Sequence, residues 1–295
     1  MYRPLTIVDQ PTLCTGHHRL DPPMVTSTLI SRAGVFAAGA LLVAGCSTST
    51  STNSPSEGPP ETESQPIAVG TVVNGCPIRP ATKCPGVDLS GQNLTGADLS
   101  GADLEGANFT DAKLQGATFL STFRCYDGST DEPRVDLVGA NFTRADLTGA
   151  TVTGASMDTV NFTEANLTHT TFMAAVSTEP TSSTCNGGRR HLDADRATFT
   201  GATAPNANWT NAEFDGSDFA GIDLTDAVLT ESSFGRGNLT NAKLIRADLT
   251  DTDMTYANLQ GADLTGAAMF TTDFWGATCP GGQKLPAASG VKCPS

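Results

Sequence analysis

The sequence predicts an all-β solenoid, because a five-residue period runs from Val87 to Gly276. An apolar residue, called here the centre of a unit, recurs every five residues in 31 units and is large in all of them but the one at Ala204. An α-helix turns by about 100° per residue, so this period would scatter the centres around its axis. In a flat strand, successive centres would point to opposite faces because five is an odd number. A chain that turns one corner every five residues keeps every centre pointing inward.

The other positions of the unit follow the same inward and outward alternation. The residue two before the centre is usually alanine, as at Ala140 and Ala242, and a tight corner accommodates this small side chain. The residue just before the centre is usually Asp, Glu or Asn, which suits an outward position. Thr, Ser and Gly fill most of the two remaining positions, as turns require. The clearest copies are Ala97-Asp98-Leu99-Ser100-Gly101 and Ala102-Asp103-Leu104-Glu105-Gly106.

The pattern resembles the pentapeptide-repeat family, whose motif is Ala-(Asp/Asn)-Leu-x-x, over roughly residues 87–276. The resemblance implies a right-handed quadrilateral β-helix with four units in each coil. The 31 units then make about eight coils, with two loop insertions at residues 120–134 and 173–195. Every fourth centre shares a face of such a helix, so we expect Trp209 to follow Leu167 in one stack.

Residues 1–45 are predicted to be an N-terminal extension and a signal peptide outside the folded body. The thirteen uncharged residues after Arg32 are too few to span a membrane and fit a signal-peptide core. They end in Val43-Ala44-Gly45-Cys46, which resembles a bacterial lipobox, so we expect export, cleavage and a lipid on Cys46. A plain secretory signal and an uncleaved anchor are the alternatives. A signal of ordinary length would begin at Met24, which we expect to be the true start.

Residues 46–75 are rich in Ser, Thr, Pro and Glu and predict a disordered tether. The ends of the solenoid then carry cysteines in pairs. Cys76 and Cys84 flank its entry, and Cys279 and Cys293 lie beyond its last unit. Each pair is expected to form a disulfide that closes a cap, over residues 76–86 and 277–295, because a solenoid needs its terminal coils covered.

Cys125 and Cys185 lie one in each insertion. Eight units, or two whole coils, separate the insertions, so both loops should leave the same corner of the solenoid. Loops of this length bring Cα atoms within the distance of a disulfide, and we expect these two residues to pair. Export would place all the pairs in an oxidising compartment. The cysteine spacing argues against a metal site, because no close pair has a Cys-x-x-Cys or Cys/His spacing.

The chain is acidic, with a formal net charge of −14 at pH 7. One interpretation is a rod that mimics DNA, as in the quinolone-resistance members of the resembled family, which bind DNA gyrase. The other is that the repeat places carboxylates on solvated faces, which keep the rod soluble. Export favours the second interpretation, since an exported rod would not meet gyrase. The charge also argues against direct binding of nucleic acid, which needs Lys and Arg at the phosphates.

The second insertion contains the one basic cluster of the sequence, formed by Arg189, Arg190 and His191. Loops displayed on a rigid scaffold often carry binding function, so this cluster is a candidate interaction loop, although a plain solvated loop is the alternative. The sequence has no nucleophile elbow, P-loop, dinucleotide fingerprint or paired-histidine metal motif. We therefore expect no enzyme activity, no cofactor and no metal.

Three functions stay open at this point. The favoured one is a structural or interaction scaffold, tethered by lipid to the outer face of a cell membrane, whose partner is an unknown protein or cell-envelope component. The second is a cytoplasmic DNA mimic that binds gyrase, if the N-terminus is not a signal. The third is a cell-wall or sugar-binding surface protein that uses the face bearing the loops.

Overall fold

The computed structural model describes residues 65–121, 134–176, 189–286 and 293, all within the unit Glu61–Ser295. This part of the chain contains short strands and turns and no helix. Its strands are β1 (Val72–Val73), β2 (Cys76–Pro77), β3 (Thr118–Leu120), β4 (Thr151–Thr153), β5 (Thr171–Met173), β6 (Ala175–Val176), β7 (Arg189–Arg190), β8 (Leu192–Asp193) and β9 (Ala212–Glu213). Strands β3, β4 and β5 pair in parallel, as do β8 and β9, whereas β1–β2 and β6–β7 are antiparallel pairs.

Isolated parallel bridges join the rest of the rod, and they show a coil of four units. Val228 pairs with Asp248, and Asp248 pairs with Ala268, so residues twenty apart lie side by side. The backbone N–H of Asp248 donates to Ala227 at 2.9 Å in the preceding coil, and the N–H of Leu249 donates to Ala268 at 2.8 Å in the next. The chain is therefore an all-β solenoid in which each coil is bonded to its two neighbours.

Each corner is a turn that begins at a centre. In one unit, the N–H of Ala97 donates to the carbonyl of Leu94 at 2.9 Å, and Gly96 between them has φ +68°. A positive φ at the third residue is the mark of a type II turn, and glycine adopts it without steric cost. The turn brings the chain back inward after three residues, which produces the five-residue period.

The interior of the rod is filled by the centres and by the residues two before them. Five phenylalanines form one continuous stack through five coils: Phe109, Phe142, Phe162, Phe199 and Phe219. Their ring centroids are 4.5, 5.0, 5.1 and 4.6 Å apart in that order, and the rings are within 20° of parallel. Stacked aromatic pairs of this kind stabilise a core beyond the area they bury.

The structure corrects the predicted insertion at residues 173–195. Leu192 and Ala194 are fully buried, and β8 pairs with β9 of the next coil, so this segment is a unit of the rod. This unit does not match the repeat pattern in the sequence, because its large side chain, Leu192, lies two residues before the centre and the small Ala194 occupies the centre itself. The residues between Ala174 and His191 therefore make up the insertion.

The extra unit also changes the predicted stacks. The bridge between Asn166 and Thr203 places Ala204, not Trp209, after Leu167. Trp209 instead stacks on Phe172, with ring centroids 5.3 Å apart and 9° between the planes. Its indole Nε1–H donates to the hydroxyl of Thr170 at 3.1 Å, which satisfies both buried polar groups.

Two disulfides lie at the ends of the rod, one between Cys76 and Cys84 and one between Cys279 and Cys293. Their Cα atoms are 5.7 and 5.3 Å apart, respectively. Cys84 and Cys279 occupy centre positions, because their neighbours Lys83 and Thr278 form parallel bridges with adjacent coils. Each disulfide thus joins a terminal segment to the last inward position at its end of the rod.

The phenylalanine stack predicts a large difference between a buried and an exposed phenylalanine. Phe162→Ala should reduce the free energy of unfolding by about 3–5 kcal/mol, since it opens a cavity between Phe142 and Phe199. Phe270→Ala is the matched control, because Phe270 is 71% exposed and its loss should change stability by less than about 0.5 kcal/mol. Urea unfolding followed by circular dichroism measures both, and equal effects would contradict the assignment of inward positions.

Candidate functional site

Both insertions leave the rod at one corner, called here the insertion corner. Phe119 in β3 pairs with Val152 in β4, which pairs with Phe172 in β5, so the three residues share one stack. The first insertion follows β3 and the second follows β5, two coils further along the rod. The described chain resumes at Arg134 after the first insertion and at Arg189 in the second. These returning segments meet the same side of the rod.

The base of the second insertion is packed against the rod at Gly154. Strands β6 and β7 pair antiparallel, with Ala175 opposite Arg190. A Cβ placed on Gly154 would lie 2.5 Å from the Cβ of Ala175, which is closer than real side chains come. Gly154 also has φ +57°, so glycine is required there for both space and conformation.

A cleft of about 300 Å³ lies at the insertion corner and is lined by Arg134, His191, Asp193 and Glu213. His191 Nδ1 is 3.0 Å from Glu213 Oε1. The guanidinium of Arg134 donates from Nε to the carbonyl of Gly154 at 3.1 Å and from Nη2 to that of Ala155 at 3.2 Å. Residues from both insertions thus meet a carboxylate-rich part of the rod.

Carboxyl groups from three consecutive coils gather beside this cleft: Asp158, Asp193, Asp195, Glu213 and Asp215. Burial raises the pKa of Asp158, and the nearby carboxyl of Asp193 raises it further. Burial likewise raises the pKa of Asp195, with Asp193 adding to the effect. The pKa of Glu213 is also raised, mainly by burial, although His191 acts in the opposite direction. Mutual repulsion and partial burial therefore make this corner electrostatically unfavourable when its carboxyls are ionised.

Three oxygen atoms on this side of the rod are buried without a hydrogen-bond partner in the described part of the chain: Asp158 Oδ1, Asp193 Oδ1 and Asn211 Oδ1. Arg196 partly offsets the charge, with Nη2 3.8 Å from Asp158 Oδ2, but its side chain is 70% exposed. Among the described residues, no group of three or more His, Cys, Asp or Glu has the arrangement of a metal site. The same residues include no helix of the length and hydrophobicity that a membrane span requires.

The remaining predicted site residues are placed as follows. Cys46, Cys125 and Cys185 lie outside the described residues, as do most residues of both insertions. Arg189 and Arg190 form β7, and His191 lies directly after it. Sequence reasoning identified His191 but missed the carboxyl groups around it. Asp193 and Glu213 occupy the usual acidic position before a centre, and the unusual position of Asp158, Asp195 and Asp215 after a centre was not singled out. The one available signal was the run Asp193-Ala194-Asp195, which directly follows the basic cluster.

Removing one carboxyl from this corner should stabilise the protein at neutral pH. A carboxyl whose pKa is raised on folding costs stability when ionised, and the cost disappears as pH falls through its folded-state pKa. We expect Asp158→Asn to increase the free energy of unfolding at pH 7 by up to about 0.5 kcal/mol and to gain less at pH 4.

Asp263→Asn is the control, and it should change the free energy of unfolding at pH 7 in the opposite direction. Hydrogen bonds donated by Thr265 lower the pKa of Asp263, so its ionised form favours the folded state at neutral pH. Urea unfolding at pH 4 and pH 7 measures both variants. A stability gain at pH 7 for Asp263→Asn, or a loss for Asp158→Asn, would contradict this electrostatic account.

Comparison with protein-family models matches residues 83–119, 135–176, 195–230 and 232–269 to pentapeptide repeats, in eight copies. No curated protein sequence matches the chain. Among solved structures, HetL, a pentapeptide repeat protein involved in heterocyst differentiation regulation in the cyanobacterium Nostoc sp. strain PCC 7120, is 25% identical. That match covers 70% of this chain and 92% of HetL, with a TM-score of 0.42.

Two further solved structures are similar. Rfr23, a pentapeptide repeat protein from the cyanobacterium Cyanothece 51142, is 20% identical over 42% of this chain and 86% of its own, with a TM-score of 0.26. QnrB1, a plasmid-mediated fluoroquinolone resistance protein, is 15% identical over 65% of this chain and 90% of its own, with a TM-score of 0.34. Because the repeat model matches more than half of the sequence and the coils have four units each, the chain belongs to the pentapeptide-repeat family.

Proposed function

We propose that the protein is a non-enzymatic scaffold, exported and tethered by lipid to the outer face of a membrane, that presents the insertion corner to a partner. The partner would be another protein or a component of the cell envelope. The observation that carries this proposal is the convergence of both insertions on one corner of a regular rod. A rod whose faces repeat offers many equivalent surfaces, and the insertions make one of them different.

The packing of the described rod supports a non-enzymatic role. Its inward positions are filled by Leu, Phe and Ala side chains, so the rod has a solid interior. The cleft at the insertion corner is shallow and is lined by groups that already contact one another, such as His191 and Glu213. Such a surface suits recognition of a partner better than enclosure of a reacting substrate.

Support for tethering comes from the sequence before the rod. An apolar run that ends in Val43-Ala44-Gly45-Cys46 precedes a polar segment rich in Ser, Thr and Pro. A lipid on Cys46 followed by a flexible linker would hold the rod near the membrane and leave its corner free to meet a partner. Disulfides at both ends of the rod agree with an oxidising compartment.

A metabolic label for protein acylation tests the tether. In a bacterial host, wild-type protein grown with an alkyne-bearing fatty acid should carry the label and sediment with membranes. Cys46→Ala should lose the label and keep its longer, uncleaved N-terminus, as intact-mass analysis would show. Cys14→Ala is the control and should behave as wild type. Unlabelled wild-type protein in the cytosolic fraction would contradict the proposal and favour the gyrase-binding DNA mimic.

Site-specific photo-crosslinking tests the insertion corner itself. A photoreactive amino acid in place of Arg196 lies in the turn beside the carboxyl groups that border the cleft and has an exposed side chain, whereas one in place of Asp263 lies on another face of the rod. Irradiation of intact cells should give a discrete cross-linked product from position 196 and none from position 263. Products of equal yield at both positions, or a product from position 263 alone, would argue against the corner as the recognition surface. A saccharide product at position 196 would identify the protein as a wall-binding one.

A further inference from the structure

Three aromatic side chains near the C-terminal end of the rod are exposed to solvent. Tyr256, Phe270 and Trp275 are 47%, 71% and 43% exposed, respectively, whereas the other Phe and Trp side chains of the described residues are buried in the core. Each of the three follows a centre by one or two residues, where Ser, Thr and Gly are the commonest residues. Clustered aromatic groups at solvated turn positions do not build the core, so they indicate a surface that another molecule covers.

The rings of Tyr256 and Trp275 lie together and are called here the aromatic platform. Their centroids are 6.1 Å apart, with 34° between the planes. The backbone N–H of Tyr256 donates to the carbonyl of Trp275 at 2.7 Å, and the N–H of Trp275 donates to Asp273 Oδ1 at 2.9 Å. The tyrosine ring also requires glycine at Gly276, since a Cβ there would lie 2.6 Å from Tyr256 Cε1. The fold therefore positions the platform before any ligand arrives.

The side of the rod between Phe270 and Trp275 carries carboxylates. Asp253 pairs with Asp273 of the next coil, and the backbone N–H of Asp251 donates to the carbonyl of Phe270 at 3.0 Å. None of these three carboxylates forms an ion pair with another described residue. This side has no Lys or Arg in its last three coils, so it is negative beside the platform.

Two bases lie past the corner that carries the platform. Arg236 lies one coil before Tyr256, where its backbone N–H donates to the carbonyl of Thr255 at 2.8 Å, and Lys284 pairs with Thr278. These bases border the platform on the next side of the rod and leave the carboxylate-bearing side negative. A partner that covers both the rings and the carboxylates is therefore complementary when it supplies positive charge.

We propose that the aromatic platform, with the carboxylates beside it, binds an arginine side chain of a partner polypeptide. A guanidinium group stacks on the faces of Trp and Tyr rings by cation–π attraction and donates hydrogen bonds to a neighbouring carboxylate. Trp, Tyr and Arg are also the residue types that contribute most to binding at protein interfaces. Tyr256 and Trp275 would supply the rings, and Asp273 would supply the carboxylate next to them.

This inference goes beyond the proposed function, because it assigns a second recognition surface. Parallel bridges join Glu213 of the insertion corner to Ser233, Ser233 to Asp253, and Asp253 to Asp273. The platform therefore lies three coils, or about 14 Å, beyond the cleft along the rod. Binding at the platform does not require occupation of the insertion corner.

Tryptophan fluorescence of the full-length protein measures this binding. The chain has two tryptophans, and Trp209 is fully buried, so a peptide in solution changes the emission of Trp275. The probe is a blocked peptide of alternating glycine and arginine, and its control is the same peptide with citrulline, which is planar and neutral. We expect the arginine peptide to bind about tenfold more tightly than the citrulline peptide, since the latter loses both the cation–π and the charge attraction.

Matched variants separate the platform from the general charge of the rod. Asp273→Asn keeps an acceptor for the N–H of Trp275 but removes the charge, and it should weaken binding of the arginine peptide about threefold. Asp263→Asn removes a carboxylate at the same repeat position on the opposite side of the last coil, and it should bind as wild type. Tyr256→Leu should weaken binding about threefold while it leaves Trp275 as the reporter. Far-UV circular dichroism verifies that each variant is folded.

Three results would overturn the proposal. The first is equal affinity for the arginine and citrulline peptides, and the second is an equal loss of affinity in Asp273→Asn and Asp263→Asn. The third is a blue shift of Trp275 emission as the protein alone is concentrated, which would show that a second copy covers the platform. These measurements do not involve the insertion corner, so failure of the platform is distinct from failure of the proposed scaffold function.

Discussion

A corner every five residues leaves only a narrow space inside the coil, and this constraint governs the rest of the structure. Each unit has room for one large inward side chain and one small one, which explains the pairing of Leu or Phe with Ala. The backbone then forms its hydrogen bonds between coils. The N–H of the residue before a centre donates to the preceding coil, and the N–H of the centre itself donates to the next coil. Sequence, packing and hydrogen bonding therefore all have the same period.

The residue before each centre has a second role that the repeat pattern alone does not reveal. Asn141 Oδ1 accepts from the backbone N–H of Thr143 at 3.1 Å and from its hydroxyl at 2.6 Å. Asn161 of the next coil donates from Nδ2 to that same threonine hydroxyl at 3.1 Å. These bonds close the corner locally and join adjacent coils at the surface. The Asn-x-Thr triplets are thus structural parts of the repeat, which explains why this triplet recurs without any need for glycosylation.

The sequence was sufficient for the fold because the inward positions are repeated many times. It failed at Leu192 and Ala194, where the large and small side chains exchange places within one unit. A search that follows large residues passes over such a unit, although the interior receives nearly the same total volume. One missed unit then rotated every later stack by one face, which is why Trp209 was expected above Leu167. The stack of five phenylalanines could be identified only when the register across the second insertion was known.

The candidate site was harder to predict, since Asp and Glu residues also occur throughout the rest of the rod. What distinguishes them is their position. Asp88 and Asp223 lie just before a centre. Burial acts to raise the pKa of Asp223, but in both residues the hydrogen bonds to the carboxylate, chiefly those from the second residue after it, lower the pKa. Asp158 and Asp195 lie just after a centre and beside the returning insertions, where burial and neighbouring carboxyls raise theirs. Net charge therefore says little about function in this rod. The informative carboxylates are those whose ionised form the fold disfavours, and among the described residues these gather where the insertions meet the coils.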